Sequence, residues 1–304
     1  MKLQEIKLEP LLDTLRIEKI DDEVYFTSPI YKNRISNSRL GLLNPRQGGS
    51  PEKFFTGFKA AFNPSFALGS AVHEQILQPH LFKLAEDTHK PTAKMGGMAD
   101  ELYDIYCQRE ITDEDIINAS DKVDYYKGKM TADRIAEVRS KCSQYWETRS
   151  NYELNLDENR DIRYLDYPML EKAKACIESL QSNKLVMDLL HPKGLIEDPI
   201  SECEQAILLD VKATMPDGKE VILHLKAKLD NYTIDTESNV IKVNDVKTHG
   251  QMLNTFDISK VKYHYNREIA FYMYLLSLIA KKEYGLDNPK KQANYLVVST
   301  VPNF

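Results

Sequence analysis

Cysteine is scarce and scattered in this chain: Cys107, Cys142, Cys176 and Cys203 are the only four in 304 residues. No two of them form a C-x-x-C pair, which argues against a disulfide framework, a zinc ribbon and a four-cysteine cluster. No iron–sulfur cluster is therefore expected. Long apolar runs are missing too. None reaches the roughly 18 residues that span a bilayer, and Met1 leads into alternating charged sequence instead of a signal peptide. A cytoplasmic location with no membrane partner is the expectation. Internal repeats and low-complexity tracts are also absent. Positive charge is not in excess: the formal net charge is −6, which at the level of the whole chain argues against a polyanion as partner.

What is present points elsewhere. A composition that is 42% hydrophobic over 304 residues can bury a full core, and one large domain with elaborations is expected over 1–304. Whole-chain charge also hides a basic stretch. Between residues 30 and 60 the cations Lys32, Arg34, Arg39, Arg46, Lys53 and Lys59 face the single acid Glu52. Such a stretch is either a solvated face or a phosphate-contacting one. Arg34, Arg39 and Lys53 are the candidates for contact with nucleic acid.

Residues 1–34 alternate charged and apolar side chains and read as an irregular or strand-bearing arm. "SNSRLGLLNP" offers Ser36 or Ser38 as the N-cap of a short helix that closes at Asn44-Pro45. "RQGGSPEKFFTGF" is a glycine-rich loop entering another helix, and "NPSFALGSAVHEQILQP" is a helix with Gly69, His73 and Ile76 near one face. Residues 98–190 are charged, poor in glycine and proline, and helical in pattern. After His191-Pro192 the period changes to that of strands. "CEQAILLDVKATMPDGKEVILHLKAKLD" reads as a hairpin turning at Pro216-Asp217-Gly218, and "NVIKVNDVKT" as a third strand. "VKYHYNREIAFYMYLLSLIAKKEYG" follows as one long helix with Gly285 at its C-terminal end, and "ANYLVVST" as a last strand. The C-terminal third is thus β-β-β-α-β over 200–304.

Two of these strand-like runs stop at aspartates. Alternation along a strand puts Asp245 and Lys247 of "NDVKT" on one face with Val246 buried on the other. Asp230 lies fifteen residues before Asp245, room for a strand, a turn and an antiparallel return that sets the two carboxylates side by side. Paired carboxylates repel unless one keeps its proton or a cation lies between them. A hard divalent ion, Mg²⁺ or Mn²⁺, resolves the conflict through oxygen ligands. Such an ion polarises a phosphoryl oxygen and activates water, and Lys247 stands ready to orient that water or to stabilise developing charge. The chemistry these residues suit is phosphodiester hydrolysis; a plain surface ion pair is the alternative for an isolated D-x-K.

"KAKLD" followed by "VNDVKT" resembles the D…(D/E)-x-K signature of the PD-(D/E)XK nuclease superfamily, in the branch of the RecB nuclease domain, RecE and lambda-type exonucleases. Further stretches are similar. "GSAVHEQIL" resembles the G-x-x-x-H helix of that branch, which implies that His73 is a metal ligand or supports one. "SECEQAILLD" resembles its acidic first core strand, implying a metal-side role for Glu204 or Glu202. "YNREIAFYMYLL" resembles the Q-x-x-x-Y helix, with Tyr272 at the tyrosine position and Glu268 where glutamine is usual. "ISNSRL" and "SPEKFF" resemble the opening of these domains.

The resemblance covers about residues 35–80 and 200–300 and implies an α/β fold with a restriction-endonuclease-like αβββαβ core. It implies a Mg²⁺-dependent exonuclease on duplex DNA ends that leaves single-stranded tails for recombination, phage- or prophage-encoded. His73, Glu204, Asp230 and Asp245 would hold the metal, with Lys247 catalytic and Glu268 and Tyr272 in support. A single-strand-annealing partner and a ring-like trimer or tetramer are further implications. A structure- or site-specific endonuclease and a non-catalytic DNA-binding module are the rival classes.

Overall fold

A computed structural model describes residues 6–56, 64–155, 160–194 and 196–301. In chain order the elements are β1 (Lys7–Lys19), α1 (Asp22–Thr27), α2 (Pro29–Lys32), α3 (Asn37–Gly41), α4 (Pro51–Thr56) and α5 (Pro64–Leu77). Next come β2 (Phe82–Glu86), α6 (Ala93–Gln108), α7 (Asp113–Lys122), α8 (Ala132–Leu154), β3 (Asp161–Leu165), α9 (Tyr167–Ser182) and α10 (Lys184–Leu190). The chain closes with β4 (Ile200–Thr214), β5 (Glu220–Asp235), β6 (Val240–His249), α11 (Phe256–Lys262), α12 (Tyr265–Tyr284) and β7 (Lys290–Ser299). It divides into two compact units, one of Met1–Pro79 with Lys172–Phe304 and one of His80–Glu171.

The first unit is mixed α/β. Its five-stranded sheet has the order β1-β4-β5-β6-β7, with the β1–β4, β4–β5 and β5–β6 pairs antiparallel and β7 parallel to β6. Antiparallel strands need only a hairpin, which Gly218 provides with its φ of +83° at the turn after β4. A parallel partner needs a crossover, and α11 with α12 supplies it between β6 and β7. The face of α12 carrying Leu275, Leu276, Ile279 and Ala280 is buried with Leu15, Ile207, Leu229, Ile234, Ile241 and Val243 in one cluster. Burying each large aliphatic side chain here contributes about 2 kcal/mol. The helix stops where Gly285, in left-handed conformation, donates its N–H back to Lys281 and Ala280.

The expected hairpin, third strand, crossover helix and last strand are all present, but β5 and β6 do not stop at the aspartates and run on to Asp235 and His249. Of the irregular or strand-bearing arm expected over 1–34, Lys7–Lys19 form the strand β1 on the edge of the sheet beside β4. The long helix expected from Val261 is divided: His264 adopts left-handed backbone at φ +58° and separates α11 from α12.

The second unit is built by α6, α7 and α8 around Met98, Leu102, Ile116, Val138, Tyr145 and Trp146. It also holds a parallel pair, β2 with β3, that the helical pattern of 98–190 does not reveal. Its boundaries, His80–Glu171, differ from that expected span. A half-buried polar knot ties it together. Arg149 lies against the rings of Tyr103 and Tyr164, and Glu153 accepts from Arg149 and from both phenols.

Candidate metal centre

The sheet register builds the site. Cys203 pairs with Asn231 and Gln205 with Leu229, so Glu204 and Asp230 lie opposite each other between those pairs. The β5–β6 ladder ends at Asn231 and Asn244, which leaves Asp230 and Asp245 as the next positions where the strands part. Three carboxylates therefore lie in one row across β4, β5 and β6. Glu204 has a φ of +56°, a left-handed conformation that is uncommon for a residue other than glycine and concentrates at functional sites.

Where the ladder ends, side chains take over its hydrogen bonds. The Val246 N–H donates to Asp230 Oδ2 at 2.8 Å, and the Val246 carbonyl faces His73 Nε2 at 2.5 Å. With Nε2–H donating to that carbonyl, the Nδ1 lone pair of His73 points toward Asp230 Oδ2, 3.7 Å away. His73 reaches this position because α5 packs closely on β6: a Cβ at Gly69, one turn earlier, would come within 3.3 Å of Thr248 Oγ1. That contact gives the G-x-x-x-H spacing its physical meaning. Ligand atoms of His73, Glu204 and Asp230 all lie within 4.8 Å of one another.

Asp245 is 2% exposed and receives Lys247 Nζ at 2.7 Å on Oδ1, while its Oδ2 is buried with no hydrogen-bond partner. Glu268 flanks the same ammonium at 3.7 Å and accepts from the Tyr272 hydroxyl at 3.2 Å. On the other side of the row Lys228 Nζ lies 2.9 Å from Glu204 Oε2 and also reaches Asp22 of α1.

Electrostatics follow from this crowding. Burial pushes Asp230 up to about 6, opposed by Lys247. Burial and the charge of Asp230 push Asp245 up to about 7. Burial and Asp230 likewise raise Glu204 against the pull of Lys228. Burial opposes the charge on Lys247, but the carboxylates of Asp245, Asp230 and Glu268 outweigh it and hold the ammonium well above its usual range. His73 is pushed down by burial and by Lys247, so it is neutral and free to ligate. When ionised, the carboxylates of Glu204, Asp230, Asp245 and Glu268 exceed the ammoniums of Lys228 and Lys247 by two charges, which one divalent cation balances. An imidazole nitrogen and carboxylate oxygens form a donor set suited to such an ion.

No family model, curated protein or solved structure matches this chain.

Glu204, not Glu202, joins the cluster: Glu202 is exposed and outside it. Three cations of the basic stretch hydrogen-bond within the chain. Arg34, expected at a phosphate, is an internal tie whose guanidinium donates to Asp210 at 2.9 Å and to the Leu225 carbonyl, with its side chain 11% exposed. Arg39 donates to the backbone carbonyls of Phe54 and Lys32, and Lys53 to that of Gly48; Lys53 itself is exposed. Lys59 lies outside the described residues. Two groups escaped the sequence reading. Lys228 had a signal, because it stands two residues before Asp230 on the same strand. Asp22, its second partner, had none.

Proposed function

We propose that this chain is a Mg²⁺- or Mn²⁺-dependent deoxyribonuclease that acts on the ends of duplex DNA, built on a restriction-endonuclease-like core of β4, β5, β6, α12 and β7. One observation carries the proposal: His73, Glu204 and Asp230 converge within 4.8 Å beside a strand that presents Asp245 and Lys247 together. A divalent ion at this cluster would supply a polarised phosphoryl oxygen and a water of lowered pKa. His73, Glu204 and Asp230 would hold that ion, with Asp245 completing the acidic wall. Lys247, kept charged by three carboxylates, cannot serve as a ready proton acceptor; it orients the attacking water and stabilises negative charge as it develops on phosphorus-bound oxygen. Glu268 and Tyr272 fix the position of Lys247.

The test is digestion of end-labelled linear duplex beside a closed circle, with Mg²⁺ or EDTA, by wild type and Lys247→Ala. Linear DNA should be lost only with metal, and the variant should fall by at least about 100-fold while keeping its fold and DNA affinity. Cleavage of the circle would make the chain an endonuclease. Unimpaired cleavage by Lys247→Ala would overturn the proposed role of this lysine.

A further inference from the structure

An aromatic chain leads away from Lys247 toward solvent. The ammonium of Lys247 lies 5.1 Å from the centroid of Tyr265. Tyr265 in turn meets Phe256 at 5.9 Å, nearly parallel at 26°, and Tyr263 at 5.8 Å and 32°. Tyr295 closes the group from β7, where it is paired with Asp245. Its ring Tyr263 is 51% exposed, and Ile258 and Val261 of the preceding helix α11 are 70% and 68% exposed.

This surface is held, not loose. His264 turns the corner after Tyr263 in left-handed backbone, and its ring meets Asn44 Nδ2 at 2.8 Å. Gln47 donates to the carbonyl of Lys262. Cations accompany the rings: Lys262 Nζ lies 5.0 Å from the Tyr263 centroid, and Lys260 is ion-paired to Asp257 within α11. An exposed tyrosine flanked by lysine and joined ring by ring to the candidate catalytic lysine has the makings of a stacking platform for bases with cations for the phosphates between them. A base within duplex already has both faces stacked on its neighbours. From the interior of a duplex the platform can therefore receive only a base that has left the stack.

We infer that Tyr263, with Tyr265 and Lys262, binds an unpaired nucleobase of the strand whose phosphate lies at Lys247, so that the site takes single-stranded or frayed polynucleotide. The ligand class rests on the nuclease proposal, whereas the platform rests on geometry of its own.

The experiment measures anisotropy of a fluorescein-labelled oligo-dT single strand, and of a dumbbell duplex whose two ends are closed by base-free ethylene glycol linkers, against wild type, Tyr263→Ala and Tyr263→Phe. Cleavage of linear duplex by wild type is measured in parallel. Tyr263→Ala should bind the single strand roughly tenfold more weakly, Tyr263→Phe should restore it, and the dumbbell should be unaffected. Equal binding by the alanine variant, or an equal loss on the dumbbell, overturns the inference. A change of oligomeric state in light scattering on Tyr263→Ala also overturns it, because a second copy would then cover the surface. If wild type cuts DNA and Tyr263→Ala binds normally, the inference fails and the nuclease proposal stands. If nothing is cut under Mg²⁺ or Mn²⁺ but the alanine variant loses the single strand, the nuclease proposal fails and the platform stands.

Discussion

Neutralising Asp230 should stabilise the protein when no metal is supplied. Asp230 is held up to about 6 from an ordinary 3.8 by burial, with its side chain 15% exposed. In the unfolded chain it ionises near its ordinary value, so between those two pH values the folded state binds the extra proton. Stability then falls as pH rises from about 4 to 6, by about 1.4 kcal/mol per pKa unit and so about 3 kcal/mol in all. Asp230→Asn removes this penalty yet keeps an acceptor for the Val246 N–H. In EDTA its midpoint in thermal melts followed by circular dichroism should exceed that of wild type by roughly 6–12 °C at pH 8, with the difference shrinking toward zero near pH 4. Mn²⁺ should stabilise wild type at pH 8 and leave the variant nearly unchanged. An Asp230→Asn protein that melts at or below wild type at pH 8, with a gap independent of pH, would refute the electrostatic account of the site.

Lys228→Gln should destabilise the metal-free protein by roughly 2 kcal/mol, because Glu204 then faces Asp230 without a cation, and should enlarge the thermal shift produced by Mn²⁺. Asp22→Asn, which removes a partner 68% exposed, should change either measurement by less than about 1 kcal/mol. Asn244→Leu should lower the urea midpoint by an amount equivalent to roughly 2–4 kcal/mol, since Asn244 donates to Asn231 and Leu189 and accepts from Asn294. In the second unit, Arg149→Ala should lower stability by roughly 3 kcal/mol, read through the fluorescence of Trp146, the only tryptophan.

Much of the first unit was legible because its signals are local. Pro216-Asp217-Gly218 marks a hairpin whose conformation needs glycine at one position, and Gly285 ends α12 as its place after two lysines suggests. Alternation placed Asp245 with Lys247, and the chain length between Asp230 and Asp245 allowed their approach. Other features left no local trace. The strands β2 and β3 are five residues each and pair across most of the second unit, too short and too mixed in composition for a period to show. Arg34 looked like a surface cation until Asp210, 176 positions away, appeared beside it.

The sequence by itself determined the periods, the turns and the residue types: the strands of the C-terminal third, and the two aspartates and the lysine that they carry, though β5 and β6 run on past these residues to Asp235 and His249. Tertiary structure decided which groups meet. It brought Glu204 and not Glu202 opposite Asp230, set His73 against the row through the close approach of α5, and gave Glu204 a cation in Lys228. Periodicity fixes the face on which a side chain lies, but pairing across strands and packing between layers fix its neighbours, and neighbours set the charge balance on which the chemistry of this site depends.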